Sequence, residues 1–392
     1  MSEEIKELDK IIEKEFLDAE SLEETAEIDL SEINIDWKQT DYSVNDLLEL
    51  VKTQDIYVPD FQRNYVWKKE QGEEFIESLL IGIPIPSIYL SKFEDNQAEK
   101  YNIIDGLQRI TTLLKFINNQ KYDDALSTKW KLKSKVSKWG GKTFSELDNI
   151  WKNKLKRTRI STIIINQKVN NREDAFGIFN IFARINKTGT KLSNQQIRSS
   201  LNYSENIKKL SHLADTATKA NSIKITDSNK KNANQDELVL RGINLYKIME
   251  LDPSYNKISL KNQLNNTAEW LKQTKQPDVV LTMNKAVTAI DRYNSLVDSD
   301  EKVFYCPIVA KNKLNEVTFS DWTSPLIFET IMYLLIKNEN LSKIDFKKYE
   351  NEMLIQSELK NDPDISKSAF FNNTTSLDKI KRRIDILSEC LL

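Results

Sequence analysis

The chain has 392 residues, 57 Lys and Arg against 59 Asp and Glu, a formal net charge of −2 and 39% hydrophobic residues. That is a folded composition with room for two or three cores, and it lacks the bulk basicity of a DNA-coating protein, although a local basic groove is compatible with it. A single histidine, His212, and two distant cysteines, Cys306 and Cys390, exclude HNH-type nuclease, HExxH zinc and zinc-deaminase chemistry as well as a disulfide framework.

No apolar run reaches the roughly 20 residues of a membrane span. The opening MSEEIKELDKIIEKEF is acidic and helical rather than an export signal. With so few cysteines, the cytoplasm is the expected compartment. His212 has no nucleophile elbow near it, so it is expected on a helix surface or in packing.

Residues 1–40 predict an acidic helix and a polar connection, and 41–200 a mixed α and β domain. Ile56 to Trp67 is extended or turning, because Pro59 holds its predecessor out of the helical region. Phe75, Ile76, Leu79 and Leu80 form one helix face, which Pro84 and Pro86 end before a strand over Ser87 to Leu90. Tyr101 to Ile104 predict a strand, and Ile110, Leu113, Leu114 and Ile117 the apolar face of the next helix.

The stretch 120–158 is rich in lysine and tryptophan and predicts an insertion of short helices, with Gly140 and Gly141 turning the chain. Ile160 to Ile165 is a β-branched strand. Ala175, Phe176, Phe179, Phe182 and Ala183 line a helix that ends near Asn186 to Gly189. Residues 201–392 predict a helical domain. Within it, 220–235 is a connecting loop, and helices run through Leu238 to Met249, Val280 to Tyr293, 323–336 and from about Thr375 onward.

Three polar clusters interrupt these apolar patterns. In the second, Asp105-Gly106-Leu107-Gln108-Arg109, a strand turns into a helix. Such a turn exposes backbone N–H groups to an anion, and Arg109 can add a bidentate clamp. Gly106 permits close backbone approach. Asp105 can bind Mg²⁺ or orient a water. Thr111 and Thr112 can bond phosphate oxygens or simply the preceding turn. Equally, Asp105-Gly106 is a common turn and Arg109 can pair with a neighbouring carboxylate.

The first cluster is Gln62-Arg63 with Tyr65 and Trp67. It is either a phosphate contact with a hydrogen-bonding amide, or a solvated arginine among aromatics that plug the core. The third runs from Phe182 to Leu192, where Asn186 contacts phosphate or base, or the segment is simply a helix end reversed at Gly189. No GxxxxGK[ST] or GxGxxG loop occurs in the chain.

Together, Pro59, Phe61, Gln62, Arg63, Tyr65 and Trp67, then Asp105, Gly106, Gln108, Arg109, Thr112 and Leu113, then Phe182, Arg184, Ile185, Asn186, Gly189 and Leu192 resemble the N-terminal domain of GmrSD-type restriction enzymes. The resemblance covers roughly residues 40–200, and the helical remainder resembles the extension usual in such proteins. It implies an α+β architecture: a ParB/sulfiredoxin-like domain followed by a mainly α-helical one.

It also implies nucleotide binding and Mg²⁺-dependent hydrolysis of a nucleoside triphosphate, coupled to DNA restriction in phage defence. Under that reading Gln62, Arg63, Gly106, Arg109, Thr112 and Asn186 bind nucleotide. Asp105 holds the metal, Gln108 positions the attacking water, and Asp105, Gln108 and Arg109 form the catalytic set. The family's usual Asp-Gly-Gln-Gln-Arg carries Leu107 at its third position here, so the consequence depends on whether that side chain faces ligand or core.

Larger relatives carry an HNH domain that this chain lacks. DNA cleavage would therefore require a separate nuclease or effector subunit or an unfamiliar use of the ParB-like domain itself, and self-association is compatible with the apolar helices. The alternative is a non-hydrolytic module that senses nucleotide or binds DNA and regulates a partner.

Overall fold

The computed structural model describes residues 36–57, 67–95, 98–120, 130–132, 138–166, 182, 184–185, 193–202, 204–220, 222–254, 258–296, 305–307, 319–341, 343–358, 369–370 and 376–391. The expected N-terminal helix, Gln62, Arg63, Asn186 and most of the helix expected over Ala175 to Ala183 lie outside these residues. The chain divides into two compact units, with the boundary after Leu201. No helix among the described residues is long and apolar enough to cross a membrane.

The unit that ends at Leu201 is built on a five-stranded mixed sheet in the order β1-β5-β3-β4-β2. Its strands are β1 (Asp36–Ser43), β2 (Ile56–Tyr57), β3 (Ile88–Asp95), β4 (Ala98–Asp105) and β5 (Arg159–Asn166). β1 runs antiparallel to β5, from Asp36 opposite Asn166 to Ser43 opposite Arg159. β3 pairs with β5 in parallel and with β4 in antiparallel fashion, and β2 joins β4 in parallel.

Side chains alternate across a strand, so each strand serves two layers. Ile88, Leu90, Ile103, Ile160 and Ile164 enter one core with the helices α1 (Val44–Lys52), α2 (Lys69–Ile81) and α3 (Leu107–Ile117). Ile104 and Ile165 point the other way and pack with Phe182, Ile197 and Leu201. The last two lie on α5 (Asn194–Leu201). α4 (Asn149–Arg157) completes the unit, after a short 3₁₀ turn over Phe144–Glu146.

The polar connection expected up to residue 40 is partly a strand: residues 36–40 belong to β1. Their side chains are mostly exposed, so no alternation announces the strand, and the backbone pairing with β5 holds it.

The second unit is mainly helical. It holds α6 (Glu205–Lys219), α7 (Asp227–Lys231), α8 (Asn234–Tyr246), α9 (Leu260–Leu271), α10 (Pro277–Leu296), α11 (Pro325–Lys337), α12 (Phe346–Glu358) and α13 (Leu377–Cys390), with a two-stranded ribbon of β6 (Tyr305–Pro307) and β7 (Phe319–Thr323). The connecting loop expected over 220–235 is therefore corrected. It contains the short α7 and the first two residues of α8, with Asn234 tied back to Asn229 at 2.9 Å. His212 sits exposed on α6, as a surface residue.

α8 and α11 form the centre of this unit. Pro325 to Ile336 is buried throughout, the pattern of a helix enclosed on all sides. Where the two helices meet, a Cβ built on Gly242 would lie 2.5 Å from the Cβ of Met332, so only glycine allows this approach.

A buried ionic ladder crosses the same core. Arg241 Nη2 lies 2.8 Å from Glu237, Arg241 Nη1 lies 4.0 Å from Glu329, and Arg383 Nη2 lies 3.1 Å from the other oxygen of Glu329. Arg383 also donates to the carbonyl of Ala369 at 3.2 Å.

Candidate functional site at the β4–α3 junction

β4 ends at Asp105, and α3 begins at Leu107, with Gly106 as the residue between them. Gly106 has φ 105°, in the left-handed region, and a Cβ there would meet Ile88 Cγ1 at 2.9 Å. Both the turn and the close approach of β3 therefore require glycine. The N-cap position of α3 is Gly106, which has no side chain with which to cap the first turn. The Gly106 carbonyl accepts the N–H of Ile110 at 3.0 Å, which starts the helical ladder. Such a helix start carries partial positive charge on its leading N–H groups.

Asp105 and Arg109 are four residues apart and form an ion pair, with Nη2 2.7 Å from Oδ2. Arg109 is buried, at 7% exposure. Its Nη1 donates to the carbonyl of Pro86 and, at 3.1 Å, to that of Ser87. Burial pulls the guanidinium below its ordinary range, and the nearby Asp105 and Tyr89 oppose that shift. A cation in the first turn of a helix is electrostatically unfavourable on its own. Here the Asp105 carboxylate and two loop carbonyls compensate it.

Arg109 thus holds the Ile81–Ser87 connection against the start of α3.

Leu107 is 8% exposed and belongs to the core beneath α3, so it faces the core and not the open side of the turn. The replacement of a polar residue by Leu107 therefore leaves the open face unchanged. Thr112 is fully buried, and its hydroxyl donates to the Gln108 carbonyl at 2.7 Å, the back-bonding alternative. Gln108 is partly exposed, and its Oε1 accepts the backbone N–H of Trp67 at 3.4 Å. Trp67 in turn packs edge-on against Phe75, with ring centroids 5.6 Å apart.

The three sequence motifs thus meet around one end of β4. Trp67, the end of the first, bonds Gln108 of the second. Phe182 and Ile185 of the third pack with Ile104, the residue preceding Asp105. The exposed Arg184 lies on the same helical turn. Gln62, Arg63 and Asn186 lie outside the described residues, so their positions relative to Asp105 are not part of this geometry.

Sequence reasoning missed the Pro86 and Ser87 carbonyls and the Trp67 N–H. Backbone partners more than 20 residues away leave no side-chain signal; the closely spaced Pro84 and Pro86 were the available hint of a fixed loop.

Among the described residues no group of three or more His, Cys, Asp or Glu could hold a metal ion. Asp105 offers a single carboxylate, one oxygen of which already faces Arg109.

No curated protein matches the chain. Residues 44–203, which run from α1 past the end of α5 and include every candidate site residue, match the family model of the GmrSD restriction endonuclease, N-terminal domain.

Proposed function

We propose that the β4–α3 junction binds a nucleoside triphosphate and, with Mg²⁺, hydrolyses it in support of DNA restriction and anti-phage defence within a ParB/sulfiredoxin-like domain. The observation that carries this reading is that described residues of all three motifs, Trp67, Gln108, Phe182 and Ile185, gather near the end of β4, where Gly106 leads into α3. An anion is attracted to such a position because the leading N–H groups of a helix carry the positive end of its dipole.

In this reading the Leu107 and Gln108 N–H groups, presented by Gly106, take the phosphates. Asp105 holds the nucleotide-borne Mg²⁺, which supplies neutralisation of charge on the phosphoryl oxygens. Gln108 positions the attacking water. Arg109 holds Asp105 and the Pro86–Ser87 backbone in place and contributes its field to the phosphates, so its role is positioning more than direct clamping. Arg63, Gln62 and Asn186 supply the remaining phosphate or base contacts.

The test is phosphate release from each of the four nucleoside triphosphates with Mg²⁺, for the unaltered chain, Asp105→Asn and Gln108→Ala. A fall on the order of 100-fold in either variant is expected, the scale of losing one group that meets developing charge. Equal release by all three proteins refutes the catalytic assignment.

A second reading, nucleotide sensing without turnover, is favoured by one observation: Asp105 is already engaged by a buried arginine. Micromolar binding by calorimetry with no phosphate release would select it.

A further inference from the structure

A surface outside the β4–α3 junction carries charge opposite to that of the chain as a whole. Within 130–132 and 138–159 there are eight Lys and Arg and two Asp and Glu, a net charge of +6 against −2 for all 392 residues. Three of the eight cations lie over aromatic rings, while Lys131 and Lys142 face Glu146 and Asp148. Lys138 Nζ lies 5.8 Å and Lys154 Nζ 5.4 Å from the centroid of Trp151, and Lys156 Nζ lies 5.9 Å from that of Phe144. Trp139 closes the edge of Trp151 at 4.9 Å, with an interplanar angle of 75°. Lys138, Lys154 and Arg157 are exposed.

We infer that this face of α4 is a docking surface for the phosphate backbone of a nucleic-acid duplex, read without regard to sequence. The rings hold long lysine side chains in place, which reduces the entropy lost when their ammonium groups meet phosphates.

Two alternatives fit the surface less well. A single strand would be read by stacking, but the Trp151 ring is engaged by two lysines and edge-packed by Trp139. A membrane would require an apolar stripe. The outward residues of α4 instead include Asn149 and Asn153, with Ile150 the exposed large hydrophobic of this helix. The nine residues of α4 span roughly 13 Å, a length over which a duplex presents on the order of eight phosphate charges.

The inference does not depend on nucleotide turnover, and the two fail separately. Binding of a labelled 20-base-pair duplex is measured by fluorescence anisotropy from 50 to 200 mM salt, using the full chain. The variants are Lys138→Gln with Lys154→Gln and Arg157→Gln, the single Lys154→Glu, and an equal charge change on α6 (Lys208→Gln, Lys209→Gln and Lys219→Gln).

Loss of three phosphate contacts lowers the log–log salt slope by about 2 to 3. Affinity at 100 mM salt falls at least about 10-fold in the α4 triple variant, while the α6 control binds like the unaltered chain. Because the altered side chains are exposed, thermal midpoints are expected to match, and Lys154→Glu provides an independent readout should they differ.

The proposal is overturned by absence of duplex binding or by equal slopes in the α4 variants. It is also overturned by tighter binding of a matched single strand, or by capture on phosphatidylserine vesicles in place of the duplex. Phosphate release unchanged in the α4 triple variant confirms that the surface acts apart from the β4–α3 junction.

Discussion

Each of the two units contains an acid and an arginine four residues apart near the start of a helix, yet the pairs are built to opposite ends. Glu237 and Arg241 have side chains 3% and 1% exposed, and the ladder continues through Glu329 to Arg383, so carboxylates and guanidinium groups satisfy one another inside a core. Asp105 and Arg109 have side chains 20% and 9% exposed, and backbone carbonyls of a surface connection complete the shell of the arginine. The closed pair fixes three helices. The open pair fixes one loop and leaves a carboxylate edge at a helix start. The same i,i+4 spacing becomes scaffold or candidate site according to what surrounds it.

The largest test of this contrast is Arg383→Ala. Removing one end of the closed ladder leaves Glu329 buried without its nearer cation, and stability should fall by about 3 to 5 kcal/mol in urea unfolding. A loss below about 1 kcal/mol would show that the ladder tolerates water.

A second test uses pH. Asp236, buried at the start of α8 beside Ser211 and near Asp215, is pushed up to about 7, chiefly by burial. An unfolded aspartate titrates near about 3.9. Between these values the folded state holds a proton that the unfolded state has released, so stability falls as pH rises through this window and levels off above it. Asp236→Asn should flatten that part of the profile, and an unchanged profile would contradict the shift.

Gly242→Ala should cost about 1 to 3 kcal/mol, because the new methyl group meets the Cβ of Met332 and not a flexible chain end. The smallest effect on stability belongs to the open pair. Asp105→Asn keeps an acceptor for Arg109 while Pro86 and Ser87 hold the rest, so a change of about 1 kcal/mol is expected. A loss equal to that of Arg383→Ala would erase the distinction between the two pairs.

Much of this molecule was legible before any coordinates. β4, α2, α3 and β5 follow from apolar spacing, because each presents a face to a core that its own residues identify. The side that Leu107 faces is left open by the sequence, and its burial in one core with Ile110 and Leu113 settles it. β1 was not legible. Asp-Trp-Lys-Gln-Thr-Asp reads as a polar connector and becomes a strand only through β5, more than a hundred residues later.

α7 has no apolar residue in Asp-Ser-Asn-Lys-Lys to signal a helix. In the Lys-Arg-Arg run of α13, Arg383 resembles a surface charge, whereas its partner Glu329 lies 54 residues upstream and buries it. At the candidate site, sequence spacing identified Asp105 and Arg109 but not the engagement of Arg109 with Pro86 and Ser87, since backbone acceptors have no residue identity.

The strand order also constrains how the chain is made. β5 lies between β1 and β3, so the two halves of the sheet cannot join until residue 166 has been synthesised. At typical elongation rates, roughly ten seconds separate the emergence of Asp36 and Asn166. During that interval β3, β4 and the β4–α3 turn can pair as a hairpin with one open edge, while β1 waits without a neighbour. A nascent chain caught at that stage exposes the Ile88–Leu90 edge, so the step most vulnerable to misassociation precedes completion of the sheet and follows formation of the Asp105 turn.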